Sequence, residues 1–106
     1  MNVLENIPYR EGKMGNRVTA DTRDVQIVQL ALKPGQKVPR HRANSNVHIL
    51  VLEGKISTNF NGEKKEYSKG SLIPVDYKTT MSIKNPGNDN AAFLVIKTPH
   101  PTRMKK

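Results

Sequence analysis

His41 is the side chain in this sequence best suited to chemistry, because an imidazole can act as a general base, anchor a polar ligand or donate to a metal. It could equally be a structural histidine, hydrogen-bonded at the mouth of the fold. The chain contains no cysteine, which excludes disulfides, zinc thiolates and thiol nucleophiles. Catalytic metals in imidazole–carboxylate sites need about three protein donors, so His41 alone could not hold one.

The elements that would position His41 are short strands separated by turn residues, a pattern typical of a sandwich or barrel. Alternating or apolar runs predict strands at residues 25–32, 47–52, 55–60, 63–67, 71–75, 79–84 and 91–98. Asn61-Gly62 between two of these runs indicates a β-hairpin, because both residues accept positive φ. No segment keeps an apolar period of 3.6 residues over three turns, so helix should be scarce.

We expect one all-β domain, since 106 residues suit a single barrel or sandwich. Residues 18–98 form the predicted barrel, between a polar N-terminal arm at 1–17 and a basic C-terminal tail at 99–106. The start of the chain does not resemble a signal peptide, and the longest apolar run, 91–96, is too short to cross a bilayer. We therefore expect a cytoplasmic protein that makes no contact with a membrane.

A segment that begins with Pro34-Gly35 and ends, after a hydrophobic run, with Glu53-Gly54 resembles the first conserved motif of the cupin family. His41 stands at the first of the two histidine positions in that motif. Ala43 stands at the second histidine position and Val47 at the glutamate position. The resemblance implies a cupin-type antiparallel β-barrel, or double-stranded jelly roll.

The segment from Gly70 to Asn85 resembles the second cupin motif and matches it at both ends. Asp76, Lys78 and Met81 stand at the proline, glycine and histidine positions of that motif. Three of the four metal-ligand positions of the family therefore hold alanine, valine and methionine. The resemblance thus implies a cupin with a degenerate metal site, and we expect neither a metal nor another cofactor. A copper site using the methionine thioether is the atypical alternative.

A barrel interior would collect the inward-facing residues of these strands, because alternate residues on a strand share one face. We expect the ligand-binding cavity to be lined by His41, Ala43, Val47, Ile49, Met81, Ile83 and Phe93. Arg40 and Arg42 flank the histidine and should lie on the opposite face. Lys78 could reach the cavity mouth, where it would favour an anionic ligand.

Three functions agree with these residues, and the fold alone does not decide among them. The first is a metal-free protein that binds a small metabolite, such as an anion, in the barrel. The second is a metal-independent sugar isomerase or epimerase that uses His41, with Asp76 and Tyr77 as available supporting residues. The third is an atypical metal-dependent cupin enzyme. We favour the first because it requires no residue that the sequence lacks.

The net charge of +9 would attract anions, yet the sequence does not favour nucleic-acid binding. Proteins that bind nucleic acid usually also have a helix that fits a groove or aromatic side chains that stack on bases. This chain has three tyrosines and two phenylalanines, none of them interleaved with a basic run. We therefore expect a small-molecule ligand and no nucleic-acid partner.

The strand at 47–52 is apolar on both faces, which is typical of a strand that is covered on both sides. One face would line the barrel, and the other would carry His48, Leu50 and Leu52. A barrel of this size has no second layer of its own to cover that outer face. We therefore predict a homodimer through the outer barrel sheet, the usual pairing of the cupins that this chain resembles.

Overall fold

The computed structural model describes residues 1–104 and contains nine β-strands. They are β1 (Gly15–Asp21), β2 (Gln26–Leu32), β3 (Lys37–Arg42), β4 (Val47–Glu53), β5 (Lys55–Phe60), β6 (Glu63–Ser68), β7 (Leu72–Val75), β8 (Thr80–Lys84) and β9 (Ala91–Lys97). The described residues contain one short 3₁₀ helix, Pro101–Met104, and no α-helix, which confirms the prediction of scarce helix. No helix in this part of the chain is long and apolar enough to span a membrane. Lys105 and Lys106, which end the predicted basic tail, lie outside the described residues.

The strands form two antiparallel sheets that enclose a single core. The five-stranded sheet has the order β1-β2-β9-β4-β7, and the four-stranded sheet has the order β3-β8-β5-β6. Both sheets contribute their inward-facing apolar residues to one cluster, which includes Leu32, Ile49, Ile56, Ile83 and Phe93. The predicted all-β architecture is therefore confirmed.

The seven predicted strands agree with seven of the nine observed strands to within one residue at each end, and β1 and β3 are the two not among them. The predicted hairpin is also confirmed, since Asn61 has a φ of 53° and Gly62 a φ of 92° between the paired strands β5 and β6. Short-range sequence patterns therefore located most of the strands of the two sheets.

The N-terminal segment is held against the five-stranded sheet by specific contacts. The strand β1 begins at Gly15, so the border predicted between residues 17 and 18 falls inside it. Before β1, the Tyr9 hydroxyl donates to Glu53 Oε1 at 3.0 Å. Burial and this hydrogen bond raise the pKa of the Tyr9 hydroxyl well above its usual value. Gln29, which is fully buried, donates from Nε2 to the carbonyl of Val3 at 2.6 Å.

Asn85, the last residue of the second motif, organises the loop between β8 and β9. Its side-chain amide is buried and donates to the carbonyls of Leu32 at 2.9 Å and Asp89 at 2.7 Å. The Oδ1 atom accepts from the backbone N–H of Gly87 at 3.0 Å. The motif asparagine is thus a structural residue that ties the loop to the end of β2, because it satisfies backbone groups that the turn leaves unpaired.

The outer face of the five-stranded sheet is apolar, as the double-sided pattern of β4 predicted. On β4, Val47, Ile49 and Val51 are buried on the inner side, whereas His48 is exposed and Leu50 half-buried. The cross-strand register places outward-pointing apolar residues of neighbouring strands side by side. We call this surface the outer apolar face, and it comprises Ile27, Leu50, Leu72, Leu94 and Ile96.

Candidate functional site

A cavity of about 420 Å³ lies between the two sheets. Its volume is in the range of about 300–1,000 Å³ that is typical of small-molecule sites. Most of its lining is apolar: Met14, Val28, Leu30, Val38, Pro39, Ala43, Val47, Met81, Ile83 and Val95. The polar members of the lining are Asn16, Arg40, His41, Asn44 and Lys97. The cavity therefore combines a hydrophobic wall with a small number of cationic and amide groups.

The structure brings together the positions that the cupin resemblance assigns to metal ligands. His41 on β3 lies directly opposite Met81 on β8, and both line the cavity together with Ala43 and Val47. Ile83 is also part of the lining. Ile49 and Phe93, the other residues of the predicted wall, are fully buried in the core and do not line the cavity.

The donor set at these positions does not fit a catalytic metal. It offers one imidazole and one thioether, whereas sites of this class need about three nitrogen or oxygen donors. No group of three or more histidine, cysteine, aspartate or glutamate side chains comes together within residues 1–104 in a way that could hold a metal ion. No step of any reaction can therefore be assigned to a metal in this cavity.

His41 is an exposed residue whose ring is oriented by the backbone. Its Nδ1 atom lies 3.0 Å from the carbonyl oxygen of Pro39. Because a carbonyl only accepts hydrogen bonds, Nδ1 must carry the proton, and Nε2 of the neutral ring is left as an acceptor. Asp76 and Tyr77 are absent from the cavity lining. The structure therefore does not assemble the supporting residues considered for an isomerase around His41.

Arg40 departs from the expected alternation, because β3 contains a bulge. The pairing of β3 with β8 shifts register between Val38 and His41, so Arg40 is not held on the opposite face. Arg40 lines the cavity, which corrects the expectation that it points away. The signal in the sequence was Pro39, since proline within a strand marks a bulge or an edge.

Lys97 is the functional candidate that sequence reasoning missed. Phe93, Val95 and Lys97 alternate along β9 on the inward face, and the lysine closes this series at the wall of the cavity. Burial lowers the pKa of its ammonium below the usual value. No carboxylate within residues 1–104 forms an ion pair with it. The alternation of inward-facing and outward-facing residues along β9 could have identified this lysine from the sequence.

Lys78, by contrast, does not line the cavity as expected. Its Nζ atom lies over the ring of Tyr77, 5.3 Å from the ring centroid. Its backbone has a positive φ of 72°, which breaks strand alternation and turns the side chain away. The cations at the cavity are therefore Arg40 on β3 and Lys97 on β9, and not the lysine of the turn before β8.

A family model described as a Cupin domain matches residues 28–97. An uncharacterized protein of Methanocaldococcus jannaschii is 32% identical to this chain over 85 residues, which cover 79% of this chain and 73% of the relative.

Solved structures give the same result for the fold. A cupin family protein with a double-stranded β-helix fold, also from Methanocaldococcus jannaschii, superposes with a TM-score of 0.82 at 28% identity, covering 86% of this chain and 84% of that one. An uncharacterized conserved protein with a double-stranded β-helix domain from Klebsiella pneumoniae has a TM-score of 0.85 at 20% identity, covering 94% and 89%. The predicted jelly-roll fold is confirmed by these similarities.

Proposed function

This chain belongs to the cupin family, and we propose that it is a metal-free cupin that binds a small carboxylic acid in the cavity between its sheets. The observation that carries this proposal is the position of Lys97, a lysine in the cavity wall with no carboxylate partner among the described residues. A half-buried ammonium without a partner is partly desolvated, and a ligand of opposite charge would offset that cost. A ligand carboxylate would do so.

The rest of the lining supports a ligand with one anionic end and an apolar body. Val28, Leu30 and Val95 provide hydrophobic surface that would exclude water from an alkyl or aryl group. Arg40 provides a second cation at the cavity wall, and Asn44 and the free Nε2 of His41 are available for hydrogen bonds. A sugar would instead need several more polar groups than this wall offers.

The Lys97→Met variant should lose most of the affinity for a short fatty acid. A hydrogen bond to a charged group contributes about 1.5–3 kcal/mol, so we expect hexanoate to bind roughly 10–100-fold more weakly to the variant. Binding is measured by NMR titration with hexanoate, and with hexanamide as its neutral isostere. The wild-type protein should prefer hexanoate, and the variant should not discriminate between the two.

The pH dependence of hexanoate binding gives a second test of the role proposed for Lys97. The folded protein holds the pKa of Lys97 below its usual value, and a bound carboxylate would raise it. Hexanoate affinity should therefore be flat between the titration of the ligand's own carboxyl group and that lowered pKa, and should fall as the pH rises above that pKa. Without ligand, Lys97→Met should raise the thermal midpoint, since it removes a desolvated charge. Equal binding of hexanoate and hexanamide to the wild type at neutral pH would contradict the proposal.

We further propose that two copies of the chain associate through the outer apolar face. Leu72 is 60% exposed and lies directly opposite Leu50, which extends an apolar surface across neighbouring strands. A sheet face of this kind is self-complementary about a two-fold axis, so a second copy would cover it without a further partner. His48 borders the same surface, and Leu52 beyond it is half-buried.

The Leu72→Lys variant should weaken the dimer affinity by roughly 10-fold or more. Each buried leucine contributes about 1.5–3 kcal/mol, and a two-fold interface buries one Leu72 from each subunit. The matched control is Val18→Lys, since Val18 is 55% exposed and pairs with Val28, whose side chain faces the cavity. Neither substitution buries a charge in the monomer. Sedimentation velocity at tens of micromolar should show a dimer for wild type and control, and a wild-type monomer would exclude the interface.

A further inference from the structure

A second concave surface lies on the outside of the four-stranded sheet, and we call it the basic groove. Small uncharged residues contribute to its lining: Ser57, Asn59 and Ser82. Four exposed cationic residues also line it: Lys37, Arg40, Lys64 and Lys84. The lining contains no carboxylate, and the groove has a volume of about 390 Å³.

The strand register explains why these cations converge. Lys37 on β3 lies directly opposite Lys84 on β8. Asn59 on β5 lies between Ser82 and Lys64, its partners on the two neighbouring strands. These residues alternate with buried ones, so their side chains point away from the core. The groove is therefore a consequence of the sheet and not of a flexible loop.

The positive charge of the basic groove is not compensated within the described chain. Lys37 and Lys84 form a like-charged pair at directly opposed positions, which destabilises an antiparallel ladder. No ion pair within residues 1–104 involves any of the four groove cations. The nearest carboxylate by register, Glu66, is engaged by Lys55 at 3.7 Å. A bound anion would relieve this repulsion.

We propose that the basic groove is a second ligand site that binds an oligophosphate group of two or more linked phosphoryl units. It lies on the opposite face of the four-stranded sheet from the cavity, and the two sites meet at β3, where Val38, Pro39 and Arg40 line both. Lysine, arginine, hydroxyl and amide donors are the groups that bind phosphoryl oxygens. The outermost cations lie on β3 and β6, whose backbones are three strand spacings or about 14 Å apart, a span that exceeds one phosphate and suits a chain of them.

The chemistry of the groove limits recognition to the phosphate chain. No aromatic side chain is among the lining residues, so the groove offers no stacking surface for a base. Ser57 and Ser82 add hydroxyl donors between the cations. The site therefore distinguishes ligands by the number of linked phosphates and not by the group attached to them.

The experiment is calorimetric titration with sodium tripolyphosphate and, at matched ionic strength, with orthophosphate. The wild-type protein should bind tripolyphosphate at least about tenfold more tightly than orthophosphate. The double variant Lys37→Gln/Lys84→Gln should bind it about tenfold more weakly than wild type does. Both residues are exposed, so the variant should fold, and loss of the like-charged pair should raise its thermal midpoint.

The control is the double variant Lys65→Gln/Lys69→Gln, which removes the same charge outside the groove. Lys65 pairs with the buried Thr58 and so points to the other face of β6 from Lys64. An equal loss of tripolyphosphate binding in this control would overturn the proposal, because binding would then report net charge alone. Tripolyphosphate binding should survive in Lys97→Met, and its loss there would also overturn the assignment of a separate site.

Discussion

The triple variant Ala43→His, Val47→Glu and Met81→His is expected to bind one equivalent of Co²⁺ or Ni²⁺. All three residues line the cavity with His41, and Met81 lies directly opposite that histidine. The substitutions would supply three imidazoles and a carboxylate, enough donors to compete with water. We expect binding at least roughly 100-fold tighter than in the wild type, measured by metal titration followed in the visible spectrum of Co²⁺.

Two controls accompany this experiment. Adding His41→Ala to the triple variant should weaken metal binding, because it removes the one native imidazole among the four donors. Circular dichroism must show that the triple variant keeps its β-sheet signal, since Val47 is buried and glutamate there depends on the metal for a partner. A folded triple variant that binds no metal would mean that these positions do not converge as described.

The Gly54→Ala variant is expected to be the most destabilised single substitution among the glycines with positive φ. Gly54 has a φ of +70°, and a Cβ there would overlap the carbonyl oxygen of Asn90 and lie 3.0 Å from the Cα of Ala91. The left-handed conformation and a shift of the backbone before β9 should together cost about 2–5 kcal/mol. This loss is a large part of the stability of about 5–15 kcal/mol that is typical of one domain.

The matched control is Gly70→Ala, since Gly70 has a φ of +93° and a Cβ added there would meet no atom within 4 Å. It isolates the conformational cost, which we expect to be about 1–2 kcal/mol. Urea denaturation of both variants measures the difference, which corresponds to the steric contact with Asn90. If the two variants proved equally stable, the close approach of the loop to Gly54 would be refuted.

The strands could be predicted from the sequence wherever apolar and polar residues alternate, as in β5, or the strand is apolar on both faces, as in β4. The Asn61-Gly62 turn fixed the register of β5 against β6. The strand β1 was not predicted as a whole, because it is a polar edge strand whose residues are mostly not buried. Its place in the sheet depends on long-range pairing with β2, which no local pattern encodes.

The candidate site could be predicted only where the residues of a strand alternate regularly between its two faces. His41, Ala43, Val47 and Met81 lie in the cavity wall, where the alternation of strand residues places them. The alternation failed for Arg40, because a bulge interrupts β3 after Val38. It also selects Lys97, yet a lysine at a strand end is ordinarily exposed, and its burial depends on how the two sheets approach each other.

The edges of the four-stranded sheet carry features that oppose strand-to-strand pairing between copies of this protein. The strand β3 carries a bulge, Pro39 and the exposed cations Lys37 and Arg42, while β6 carries Lys64 and Lys65. An edge strand with unpaired backbone groups is a template for strand addition, and proline, bulges and lysines prevent it. We therefore expect both edges to resist extension into a continuous intermolecular sheet, which would protect a concentrated solution of this protein against fibril growth from these edges.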